Sequence, residues 1–96
     1  MQQSISTVSS QRAQIYLQQL CKHFGHKIEV SFTPEQGTIA FPFGRCDLEA
    51  SDGVLKMTAN AEDEASLERL EHVIGSHLER FAFREKPEIG WQRLAA

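Results

Sequence analysis

The chain is predicted to fold as an α+β two-layer sandwich: an antiparallel four-stranded meander plus flanking strands, with two helices on one face. Three observations predict it. Two segments carry apolar residues at steps of three and four, which gives each a single buried helical stripe. Between them, four short segments alternate apolar and polar residues, as strands buried on one side do. The registers of those four segments also agree, so that every apolar side chain falls on one face; a slip by one residue would destroy this.

The elements follow in order. "SISTV" is an opening strand candidate. "SSQRAQIYLQQLCKHFG" forms the first helix, with Ala13, Tyr16, Leu17, Leu20, Cys21 and Phe24 on its stripe. Ser9 or Ser10 supplies its cap, and Gly25 suits a left-handed position just past the end. In the meander, Ile28, Val30 and Phe32 alternate first, then, after "TPEQG", Ile39, Phe41 and Phe43. A turn at Gly44-Arg45 leads to Cys46, Leu48 and Ala50, and a turn at Asp52-Gly53 to Leu55, Met57 and Ala59. The Asp52-Gly53 hairpin sets Ala50 opposite Leu55, Leu48 opposite Met57 and Cys46 opposite Ala59. The Gly44-Arg45 turn sets Phe43 opposite Cys46 and Phe41 opposite Leu48. The earlier turn sets Phe32 opposite Ile39, Val30 opposite Phe41 and Ile28 opposite Phe43.

Asn60 then caps the second helix, with Glu62, Asp63 and Glu64 at the positive end of its dipole. Leu67, Leu70, Val73, Ile74, Leu78 and Phe81 form its stripe. Continued as helix, Phe83 would point away from that stripe, so the helix is predicted to end near Phe81 or Ala82. Phe83 then folds back under the sheet edge beside Trp91, and Pro87 keeps the helix from resuming. "EIGWQR" forms the last strand. The order β-α-β-β-β-β-α-β resembles the TATA-binding-protein-like two-layer fold, a likeness of topology that carries no function.

A chain of 96 residues reads as one domain, residues 1–96, with one modest core. The formal net charge of −3 gives no global attraction to nucleic acid or to an anionic membrane. On the exposed sheet face Lys27, Arg45 and Lys56 balance Glu29, Asp47 and Glu49, and no ring is available for base stacking. Nucleic acid is therefore not an expected partner. No apolar run approaches the ~20 residues that span a bilayer, and "MQQSISTVSS" lacks the pattern of a secretory signal. Two cysteines are too few for a disulfide framework. These points lead to a cytoplasmic protein whose partner is another protein, a small anionic ligand or a second copy paired through a sheet edge.

Two sets of residues carry chemistry. "CKHFGH" places Cys21, His23 and His26 within six residues, and Cys46 joins them at the same end of the sheet, a composition zinc favours. Against a tight site, a rotation of ~100° per residue separates Cys21 from His23 by ~160° around the helix. Cys46 faces inward, where a thiol behaves as a small hydrophobe. The second set is His77, Arg80, Arg84 and Lys86, able to hold an anion or a partner's carboxylate. Basic residues at a helix C-terminus also complement its dipole without any ligand. His72 faces solvent opposite the stripe, whereas His77 lies within it. His77 is ~25 Å along the helix from Asn60, so the two sets are expected to lie apart. There is no nucleophile elbow, phosphate loop or nucleotide fingerprint, so no catalytic residue is assigned and no cofactor is expected.

Three strings, "YLQQLCKHFGHKIEV", "FPFGRCDLEASDGVL" and "LERLEHVIGSHLERFAFRE", with the closing "IGWQR", resemble the bacterial domain-of-unknown-function family 2218. The likeness runs from about Thr7 to Arg93. Its motif positions here are His23, Phe24, Gly25 and His26, then Phe41, Gly44 and Cys46, then His77 through Phe81 and Phe83 through Glu85. The resemblance implies a small bacterial protein without an assigned activity, associated with siderophore-interacting flavoproteins and hence with iron use. The leading expectation is a non-catalytic accessory or binding domain. The alternatives are a metal- or redox-responsive protein using Cys21, His23, His26 and Cys46, and a small enzyme working at the helix–sheet edge.

Overall fold

The computed structural model describes residues 1–94. The elements are β1 (Gln2–Ser9), α1 (Ala13–Phe24), β2 (Glu29–Phe32), β3 (Gln36–Phe41), β4 (Gly44–Ser51), β5 (Val54–Ala61), α2 (Glu64–Phe81) and β6 (Gln92–Leu94). All six strands pair antiparallel in one sheet of order β2-β3-β4-β5-β1-β6. The α+β two-layer arrangement is the predicted one. The opening strand, the weakest strand pattern in the sequence, lies inside the sheet between β5 and β6.

Alternation builds the dry face row by row. Val30, Ile39, Cys46, Ala59 and Ser4 stand side by side across five strands, and Gly37, Leu48, Met57 and Ser6 form the next row. On this face α1 lays Tyr16, Leu17, Leu20 and Cys21, and α2 lays Leu67, Leu70, Ile74 and Leu78, all of them buried. α1 covers β2 to β5, α2 covers β1, β4 and β5, and the two helices touch.

The β4–β5 register is the predicted one, with Ala50 opposite Leu55 and Cys46 opposite Ala59. Asp52 (φ 50°) and Gly53 (φ 74°) take the left-handed conformations that a tight hairpin turn needs. The other two registers differ from expectation. Phe41 pairs with Gly44, so the turn is Pro42-Phe43, and Ile39 rather than Phe43 stands opposite Cys46. Val30 stands opposite Ile39 rather than Phe41. Proline has no N–H to give a ladder and suits the first turn position. Gly44 is needed on the strand itself: a Cβ there would sit 2.5 Å from Leu70 Cδ1 and 2.6 Å from the Asn60 carbonyl oxygen. Both departures are by an even number of residues, so each side chain keeps its predicted face.

Several element ends also differ. Ile28 is not in a strand; its N–H and that of Lys27 both donate to the Phe24 carbonyl. This helix-like turn holds Gly25 at φ −62°, right-handed rather than left-handed. Arg12 occupies the cap position of α1 without a side-chain bond, while Ser10 Oγ accepts the Arg12 N–H at 3.0 Å. The cap of α2 is Asp63, which accepts the Ser66 N–H at 2.7 Å. Asn60 remains in β5, where its Oδ1 accepts from Gln3 Nε2 at 2.9 Å. α2 ends at Phe81 as predicted, but Phe83 turns outward and is 63% exposed, while Ala82 takes the inward position. Ile89 and Trp91 instead close over α2 at Gly75. Arg93 ties β6 to α2 through Glu64 at 3.0 Å and Glu71 at 3.1 Å.

Gly44→Ala is expected to destabilise the protein by about 1–3 kcal/mol through overpacking against a backbone oxygen that cannot move aside. The midpoint of urea unfolding measures it, and an unchanged midpoint would contradict the close packing of α2 on β4.

Candidate ligand site at the helix crossing

The last turn of α1 runs against the C-terminal half of α2. The ring centroids of His23 and His77 are 4.7 Å apart, and those of Phe24 and His77 are 4.8 Å apart. The expected separation of His77 from "CKHFGH" is thus corrected. The distance from Asn60 to His77 along α2 is not the relevant one, because α1 ends against the last turns of α2, at His77 and Phe81, and not beside Asn60.

From this crossing the rings continue in both directions. His23 reaches Phe81 at 5.9 Å, Phe24 reaches Phe41 at 5.0 Å, and Phe41 reaches Phe43 at 5.2 Å. The Arg69 guanidinium lies 4.1 Å from the centre of the Phe43 ring and ends the series. The result is an unbroken ribbon, Phe81–His23–His77–Phe24–Phe41–Phe43, with several rings meeting edge to face, the arrangement their quadrupoles favour. His23 is exposed and the other five are half-buried. Local sequence places each ring: His77 and Phe81 are one helical turn apart, Phe41 ends β3 and Phe43 forms the turn. Beyond Phe43 a cavity of about 600 Å³ opens, lined in part by Arg45, Asn60 and Ser66.

The ribbon is electrostatically one-sided at His23. Partial burial lowers the pKa of His23, and charge repulsion from His77, Lys27, His26 and Arg80, when these are protonated, lowers it further. His77 Nδ1 lies 2.7 Å from the Val73 carbonyl oxygen, to which it donates. The site thus draws on both predicted sets, taking His23 from the first and His77 and Arg80 from the second, with His26 close by.

Cys21, Cys46, Arg84 and Lys86 lie elsewhere. Cys21 and Cys46 are fully buried. Burial pushes the Cys21 thiol up to about 11 and raises Cys46 further, with Asp47 and Cys21 adding to the effect. His26 is exposed. Among the described residues no three His, Cys, Asp or Glu side chains group to hold a metal ion. Arg84 stands 5.7 Å from the Phe83 ring, and Lys86, at φ 48°, borders a separate hollow with Glu79, Phe83 and Pro87. The sequence pattern did not single out Phe24, Phe41, Phe43 or Arg69 as site residues. The three rings counted as core by periodicity, and nothing in periodicity shows that they sit at the rim.

The segment after α2 is latched by a carboxylate. The Tyr16 hydroxyl donates to Glu85 Oε1, and Ser10 Oγ donates to the same oxygen at 3.0 Å. Glu85 thereby joins the end of α2 to the start of α1. The Tyr16 bond first and the Ser10 bond second hold the Glu85 carboxyl below its ordinary pKa. Burial first, then Glu85, raises that of Tyr16.

Fold and ribbon together define a small two-layer α+β protein with a ring-lined surface where its helices cross. The chain belongs to the family described as uncharacterized proteins conserved in bacteria, DUF2218, whose profile matches residues 5–92. A protein of Pseudomonas aeruginosa, PA4090, solved by NMR, is 43% identical to it; the match covers 96% of each chain with a TM-score of 0.82. No curated protein matches the chain. The three strings that carry the family resemblance each contribute rings to the ribbon: His23 and Phe24, then Phe41 and Phe43, then His77 and Phe81.

Two outcomes are expected. The depressed Glu85 carboxyl adds stability above its unfolded-state pKa, and this is lost as pH falls through the lower folded-state value. Glu85→Gln should therefore lower Tm at neutral pH, with the gap to wild type closing in strong acid; a gap independent of pH would contradict the latch. Both thiols should resist a disulfide-exchange reagent at neutral pH and react once urea unfolds the chain. Rapid reaction of either in the folded protein would overturn their burial.

Proposed function

We propose that this protein is a non-catalytic accessory or binding domain that takes a planar aromatic anion on its ring ribbon. The observation that carries this reading is the ribbon itself: six rings in continuous contact at the surface, with Arg80, Lys27 and His26 near one end and Arg69 over the other. Rings offer faces and edges for stacking, and guanidinium groups pair with carboxylate or phenolate oxygens. A half-exposed apolar surface with a few convergent cations suits a small ligand better than a filled core would. The link to iron and siderophores implied by the family resemblance narrows the ligand further. Catecholate chelators are planar, aromatic and anionic, so an aromatic floor with cations at its ends suits them. No membrane-type surface enters this reading, and no helix among the described residues is long and apolar enough to cross a bilayer.

The probe is 2,3-dihydroxybenzoate added to isotope-labelled protein in the presence of a metal chelator. Amide and ring signals of His23, Phe24, Phe41, Phe43 and His77 should shift together at millimolar ligand. The pair Arg69→Ala and Arg80→Ala should weaken binding by about tenfold, roughly 1.4 kcal/mol, while the fold is retained. Shifts confined to other surfaces, or none at all, would refute the reading.

A further inference from the structure

Two imidazoles from different helices meet at the centre of the ribbon, and their geometry supports more than stacking. His77 Nδ1 is 2.7 Å from the Val73 carbonyl oxygen. A carbonyl only accepts, so a proton is on Nδ1, and in the neutral imidazole the lone pair is on Nε2, on the far side of the ring. Metal-ligating histidines are held this way, with one nitrogen pinned by a carbonyl or carboxylate and the other presented. His23 is exposed, so its ring is open to an ion from solvent.

The separation also fits. With metal–nitrogen bonds of ~2.0–2.1 Å and a nitrogen ~1.1 Å from its ring centre, each ring centre stands ~3.2 Å from a shared ion. Ligand angles from about 90° to the tetrahedral value then place the two ring centres ~4.5–5.2 Å apart. The observed centroid separation is 4.7 Å, with the planes tilted by 47°.

We propose that His23 and His77 form a two-histidine chelate for a divalent transition metal, Cu²⁺ ahead of Ni²⁺ and Zn²⁺. No third ligand is grouped with them among the described residues, so water or an anion completes the coordination and the ion exchanges. Lys27 and Arg80 oppose a cation here, and with only two imidazoles the affinity is micromolar. The chelate is independent of the aromatic-anion reading, which is tested with chelator present; either stands if the other fails.

The test is titration of tag-free protein with Cu²⁺ alone, read by calorimetry and by electron paramagnetic resonance. One ion should bind per chain, with hyperfine coupling to two imidazole nitrogens. His23→Gln and His77→Gln should each weaken binding at least tenfold, and the double variant should be little worse than either, because losing one arm loses the chelate. His72→Gln, exposed on α2, should change nothing. With Zn²⁺, nitrogen NMR should show Nε2 of His77 shifting while Nδ1 stays protonated. Absence of uptake at micromolar Cu²⁺, or uptake that His23→Gln leaves intact, overturns the proposal. His23 is at the surface, so its variant keeps the test decisive if His77→Gln fails to fold.

Discussion

The whole molecule depends on one sheet having only one dry face. The row Val30–Ile39–Cys46–Ala59–Ser4 crosses five strands, and its neighbour row Gly37–Leu48–Met57–Ser6 runs parallel to it. These rows are the floor on which both helices lie. Burying apolar area is worth roughly 25 cal/mol per Å², so a one-residue slip in any central strand would turn its share of the floor into water. An even slip keeps the face, which is why pairings can move by two or four residues without changing which side chains are buried. Turn chemistry and glycine placement, not hydrophobicity, choose among the even registers.

The helices occupy that floor unequally, and the ribbon follows from this. α2 seats closely because Gly44 leaves room for Leu70 beside the Asn60 backbone. α1 seats closely over Gly37, where a Cβ would come within 2.8 Å of Cys21 Sγ. With both helices down, their crossing leaves Phe24, His77 and Phe81 at the rim, half covered. Phe41 and Phe43 extend the rim from Phe24 at the end of α1 to Arg69 on α2, because Phe41 ends β3 and the Pro42-Phe43 turn follows it.

The end of α2 is a structural corner whose parts serve different ends. Ala82 fills the inward position, Glu85 anchors the chain to Tyr16 and Ser10, and Ile89 and Trp91 then lie over Gly75. Phe83 is left outside. Holding the corner by hydrogen bonds to one carboxylate ties the C-terminal half of α2 to the first turns of α1.

By itself the sequence determined the element order, the two helical stripes, the face on which the residues of the meander strands lie, the Asp52-Gly53 hairpin and the end of α2. All of these are local or depend on parity, and period and turn residues report them directly. It also placed His23 and His77 among the candidate site residues, but in separate sets. Only the tertiary structure decided that the sets meet, that Phe24, Phe41 and Phe43 belong at a rim, and that Glu85 is a latch. Those facts rest on where one helix crosses another and on pairings remote in the chain, such as Tyr16 with Glu85. Helical periodicity states which side of a helix is buried; it does not state what the other helix brings to it.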